Sequence, residues 1–302
     1  MNYKTAKKRF EDIFDLQVIT TPNAMKGEIF IDKNPKARVD DLHWALQNPV
    51  VKAIIPAMGG GDSYRLLPYI DYNIIKENPK IYTGFSDISS SHNMFTYAGV
   101  SSFYGFCFLT PLAQPGSLDL YTENAIRKVL FSSDPIGEIK PSEKWRPIAY
   151  GEEPIEWHDN YGYEVLQGKG KVSGRLLGGC GEPMRQMLGT YVFPSAEMWR
   201  DAIIFMECGN PYGGFSGIAM LRSFAATGMF RLAKGLVCQT INDDEKKDLL
   251  RVIRDDEGLP DFPILTGVEI GHRTPMTILP IGVTAEIDCE NAKFSVLESG
   301  VE

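Results

Sequence analysis

The sequence predicts an α/β protein: a doubly wound, mainly parallel sheet in the N-terminal part, then a second domain of mixed β and α character. Two observations carry this. From residue 4 to residue 131, segments with apolar residues at helical spacing alternate with short, near-continuous β-branched runs, the pattern of βαβ units. Beyond a stretch rich in Pro, Gly and charge at 132–164, a second series of short strands and helices begins near Val165.

The elements follow in order. Residues 4–14 read as a helix and LQVIT, 16–20, as a strand. VDDLHWALQ, 39–47, places Val39, Leu42 and Leu46 on one helical face. VVKAIIPAM, 50–58, is the kind of unbroken apolar run that a parallel sheet covers on both faces. YRLLPYIDYNII is expected to be helical, PKIYTG a strand, DISSSHNMFTYAG a helix, SSFYG a strand and LYTENAIRKVLF a helix. The series opens on a helix, so a sheet lacking its first strand is expected. Later strands are expected at KVSGRLLG, DAIIFME, AKGLVCQT, FPILTGVEI and TAEID, with helices near 181–189, 217–228 and 244–254. The expected division is an N-terminal α/β domain at 1–135, a linker and substrate loop at 136–164, and a C-terminal β/α domain at 165–302.

Composition narrows the functions. With 43% hydrophobic and 23% charged residues, the chain has the balance of a globular protein rather than a disordered or fibrous one. The net charge of -8, with no basic block beyond AKKRF at 6–10, argues against a nucleic-acid partner, since phosphate backbones need a concentrated basic face. The five cysteines are scattered without C-x-x-C spacing and read as buried free thiols. Residues 1–14 are charged, and no apolar run approaches the ~18 residues of a membrane span. A cytoplasmic protein with no membrane partner is expected.

The chemistry centres on Ser86. In IYTGFSDIS it stands where a strand ends and a helix begins, as in a nucleophile elbow, although Asp87 occupies the place where G-x-S-x-G has its second glycine. A plain helix cap by Ser86 and Asp87 is the structural alternative. A serine nucleophile needs a histidine, an orienting acid and amide donors for the oxyanion. Of His43, His92, His158 and His272, the last lies on a loop after the strand FPILTGVEI, where open α/β sheets collect their site residues. Glu207 ends an apolar run, and a buried carboxylate is costly unless paired. His272 is its natural partner, with Arg185 or Arg222 as alternatives, and Glu269 competes for the acid's role. Gly59, Gly60 and Gly61 follow the strand VVKAIIPA and bring backbone amides close to a ligand, either a phosphate or an oxyanion.

GGGDSYRLLPYIDYNIIKENPKIYTGFSDIS resembles the signature segment of the LD-carboxypeptidase family of serine peptidases, which includes the microcin C self-immunity peptidases. VSGRLLGG with LGTYVFP, IIFMEC and GHRTPMTILPIG match three further family segments in the same order. The resemblance implies a flavodoxin-like N-terminal domain, a mixed C-terminal domain, and a Ser86–Glu207–His272 triad between them. It also implies oxyanion donors in the amides of Gly60 and Asp87, with the Asp87 side chain idle, no metal or cofactor, and a homodimer. The implied substrate is the acyl or amide linkage of a peptidyl or aminoacyl nucleotide, as in microcin self-immunity. The alternative is the terminal D-Ala of a murein tetrapeptide. A catalytically idle ligand-binding relative, or a nucleotide-binding protein using the glycines, are the readings from other classes. Three positions depart from the family pattern: Tyr64 where Asn is frequent, Phe85 where Tyr is, and Tyr163 where Trp is common.

Overall fold

The computed structural model describes residues 2–148, 156–208, 217–239 and 242–302. Its N-terminal sheet pairs Ala53–Ile54, Ile81–Gly84 and Phe103–Tyr104 in parallel and in sequence order. The fourth member, Leu279–Pro280, arrives from far along the chain and lies antiparallel to Phe103–Tyr104. Helices form where periodicity and caps agree. The Asn2 side chain accepts from the amides of Lys4 and Thr5 to start Tyr3–Phe14, and Asp119 accepts from Thr122 to start Leu120–Leu130.

Three N-terminal expectations change. Leu16–Thr20 forms no strand, because the backbone of Val18 is bonded to side chains of the preceding helix: Lys7 Nζ donates to its carbonyl and its amide donates to Glu11. Of VVKAIIPAM only Ala53–Ile54 is strand, and it is half-buried. At the edge of the sheet, with one neighbour among the described residues, it is not covered on both faces. YRLLPYIDYNII splits into a 3₁₀ turn, Ser63–Tyr69, and a helix, Tyr72–Glu77. Pro68 lacks an amide to donate, and Asp71 caps the second piece through the Asn73 amide.

In the C-terminal part, Lys171–Cys180, Ile203–Glu207, Gly235–Cys238 and Ile264–Thr266 run parallel side by side. Ile203–Glu207 and Gly235–Cys238 are buried at every position, as their apolar runs require. Antiparallel strands extend both flanks: Thr284–Asp288, Lys293–Val296 and Gly137–Ile139 on one side, Glu164–Gln167 on the other. Residues 132–164, expected as irregular loop, therefore supply an edge strand. They also supply a hairpin, Lys144–Pro147 with His158–Asp159, which pairs with Arg273–Thr274. These strands are short and without periodicity, so distant partners rather than local pattern define them. Residues 149–155 of that expected loop lie outside the described ones. One contiguous apolar core, including Phe10, Phe95, Phe205, Leu236 and Phe294, joins the two sheets.

Candidate active site

The predicted residues collect at the C-terminal ends of parallel strands. Ser86 follows Ile81–Gly84, Glu207 is the last residue of Ile203–Glu207, and His272 stands six residues beyond Ile264–Thr266. Ser86 is half-buried and holds a left-handed backbone with φ of 61°, a conformation that non-glycine residues rarely adopt and that marks a strained elbow. Neither Ser86 nor Asp87 caps the helical turns that follow, which removes the plain-cap alternative.

Glu207 is 3% exposed, and its partner is His272. Its Oε1 accepts from the His272 backbone amide at 3.0 Å and contacts His272 Nδ1; its Oε2 accepts from the Tyr104 hydroxyl at 2.8 Å. Arg185 and Arg222 pair instead with Glu182 and Asp256. Burial alone pushes the Glu207 carboxyl up, but the charge and hydrogen bonds of His272 with the Tyr104 bond outweigh it, so Glu207 titrates below the ordinary range. Nδ1 of the ring faces the carboxylate, so Nε2 is the nitrogen turned away from Glu207. The His272 ring packs edge-on against Phe85, the neighbour of Ser86, at 5.1 Å between centroids. Gly271 makes this turn possible: its φ is +80°, and a Cβ there would lie 2.2 Å from the Glu207 carboxyl carbon.

The glycine loop lies over the elbow. A Cβ on Gly59 would stand 3.0 Å from Ser86 Cβ, 3.1 Å from its Oγ and 3.6 Å from the Asp87 amide nitrogen, so only glycine lets this backbone come so near. The Asp87 side chain, expected to be idle, is the clamp for this loop. Its Oδ2 accepts from the amides of Asp62 and Ser63 at 3.1 and 3.0 Å and from the Ser63 hydroxyl at 2.6 Å, and it borders Gly60. Arg38 braces the same turn through Asp62 and Ser63.

The other histidines are engaged elsewhere. His43 Nε2 accepts from the Asp71 amide, and His158 lies against Trp145 on the hairpin. His92 is fully buried between the Gly84 carbonyl and the Ser102 hydroxyl, and burial lowers it to about 4, so it stays neutral. Glu269 does not compete for His272; it faces Ser142, Asn160 and Tyr121. Sequence reasoning missed Tyr104, which contacts Glu207 and lies within reach of the Ser86 backbone. Its position at the C-terminal end of a parallel strand was the available signal. Among the described residues, no group of three His, Cys, Asp or Glu is arranged to hold a metal ion, and no helix is long and apolar enough to cross a membrane.

Comparison with known proteins gives concordant matches. Residues 1–105 match the model of the LD-carboxypeptidase N-terminal domain and residues 173–287 that of the LD-carboxypeptidase C-terminal domain. YocD of Bacillus subtilis is 32% identical over 295 residues, which cover 94% of this chain and 86% of the relative. The microcin C7 self-immunity protein MccF of Escherichia coli is 26% identical, over 90% of this chain and 81% of its own. Among solved structures, an MccF-like protein from Streptococcus pneumoniae in complex with AMP superposes with a TM-score of 0.87 at 29% identity, covering 97% of this chain and 92% of that one.

Proposed function

Because the chain belongs to the LD-carboxypeptidase family, a family of serine peptidases, we propose that it hydrolyses an acyl or amide bond with Ser86 as nucleophile, His272 as general base and Glu207 as the acid that orients His272. The observation that carries this reading is the buried Glu207–His272 pair, packed through Phe85 against a strained serine.

His272 Nε2 takes the Ser86 proton as Oγ attacks the carbonyl carbon. The carboxylate of Glu207 stabilises the imidazolium that results, and the amides of Gly60 and Asp87 hold the tetrahedral oxyanion. The imidazolium then protonates the leaving group. Water, deprotonated by the same His272, releases the acyl group and restores the serine.

For the substrate, we favour the linkage between an aminoacyl or peptidyl group and a nucleotide. A microcin self-immunity protein stands among the relatives, and an MccF-like structure at 29% identity was solved with AMP. The protein would act in the cytoplasm as a homodimer, which light scattering of the purified chain tests. Incubation with an aminoacyl-sulfamoyl adenosine and, separately, with a murein tetrapeptide decides the substrate. Release of the amino acid from the first supports the proposal, and loss of D-Ala from the second alone replaces it with the murein reading. Failure of a fluorophosphonate to label Ser86, together with no turnover of either compound, leaves an idle binding protein.

A further inference from the structure

Glu269 has no part in the chemistry above, yet it is a completely buried carboxylate three residues from the proposed base. Burying an ion is costly unless several donors satisfy it. Here Oε1 accepts from the Ser142 amide at 2.8 Å, the Ser142 hydroxyl at 3.0 Å and Asn160 Nδ2 at 2.6 Å, while Oε2 accepts from the Tyr121 hydroxyl at 3.3 Å.

The donors lie on the two arms of one structural unit, side by side at its open end. Ser142 precedes the hairpin strand Lys144–Pro147, Asn160 follows its partner His158–Asp159, and the Asn160 amide closes the unit by donating to the Glu143 carbonyl at 2.9 Å. The hairpin in turn pairs with Arg273–Thr274, the residues just after His272. Ile148 donates to the His272 carbonyl, and the Arg273 guanidinium stacks 4.3 Å from the Trp145 ring. The hairpin is thus a wall beside His272, and near its free side it presents the half-exposed Trp157 and the almost fully exposed Tyr161. Tyr121 ties the same carboxylate to the helix Leu120–Leu130.

We propose that Glu269 is a positioning residue that fastens the open end of this hairpin, where both its strands meet the rest of the chain, to the segment carrying His272, so that the hairpin holds substrate in register with the base. The proposal rests on His272 being that base. A tether of this kind acts on substrate capture, whereas the Glu207–His272 bonds and the packing of His272 on Phe85 do not pass through it.

The test uses the purified chain and whichever of aminoacyl-sulfamoyl adenosine and murein tetrapeptide is turned over. Glu269→Leu is expected to raise KM by roughly tenfold while Ser86 labelling by a small fluorophosphonate stays within about threefold of the unsubstituted protein. Amide exchange in 142–148 and 156–160 is expected to accelerate. Asn160→Ala removes one donor from a half-buried position and is expected to act in the same direction more weakly; it decides the matter if Glu269→Leu does not fold. Unchanged KM and exchange in the folded variant overturn the proposal. So does a labelling rate that falls in step with kcat/KM, because the effect would then lie on the triad. If the unsubstituted protein is not labelled at Ser86, the serine-peptidase reading fails, and exchange alone judges the tether: acceleration supports it and no change overturns it.

Discussion

Replacing Asp87 by alanine removes the acceptor for two backbone amides and one hydroxyl, those of Asp62 and Ser63, at 2.6 to 3.1 Å. Hydrogen bonds to a charged group contribute about 1.5–3 kcal/mol each, but these three share one carboxylate and do not add. The Ser63 amide is buried and would be left unsatisfied, so a stability loss of about 2–5 kcal/mol is expected. The larger effect is catalytic. The freed turn carries Gly59 and Gly60, whose backbone lies against Ser86 and Asp87. Loss of one oxyanion donor costs roughly 10²–10³ in kcat. Asp87→Ala should therefore lose about that much in kcat with little change in KM, and Asp87→Asn, which keeps one acceptor oxygen, should fall between. Hydrolysis kinetics paired with thermal melts by circular dichroism provide the assay. A folded Asp87→Ala protein with kcat within about threefold of the starting value would refute the clamp, since the turn would then hold its place without the carboxylate.

Further outcomes follow from the same geometry. Glu207→Gln keeps the shape and loses the charge that stabilises the imidazolium, so kcat should drop by about 10³–10⁴ with the fold intact, read by steady-state kinetics. Gly271→Ala places a methyl group 2.2 Å from the Glu207 carboxyl carbon at a φ of +80°; it should displace the pair and reduce fluorophosphonate labelling by roughly 10² or more. His92 is neutral and buried, titrating near 4 in the folded protein against an unfolded value near 6.5. The unfolded chain alone binds the proton between those values, so stability is fully present above about pH 6.5 and declines by about 3 kcal/mol as pH falls through 4. Urea melts at several pH values should show His92→Asn losing less over that window than the unsubstituted protein, and equal losses would refute the assignment.

Some of this protein is written locally. The alternation of apolar runs and helical faces, the strand-to-helix step at Ser86 and the carboxylate ending a buried run at Glu207 all follow from propensity, periodicity and the cost of burying charge. Each of those is set by neighbours in sequence, and the family motifs around them made the candidate triad legible before any fold was known. Tertiary structure alone decided who meets whom. Glu207 could have met an arginine, and its partner is a histidine 65 residues away. Asp87 turned out to hold a loop 24 residues upstream through a side chain expected to do nothing. Leu16–Thr20, a strand by composition, lost that state because a helix one turn back satisfied its amide and carbonyl. Glu269 gathered donors from 127 and 109 residues away, and Tyr104 joined Glu207 across 103. Such contacts depend on which surfaces the packed core brings together, and a single chain read in order carries no local free-energy signal for them.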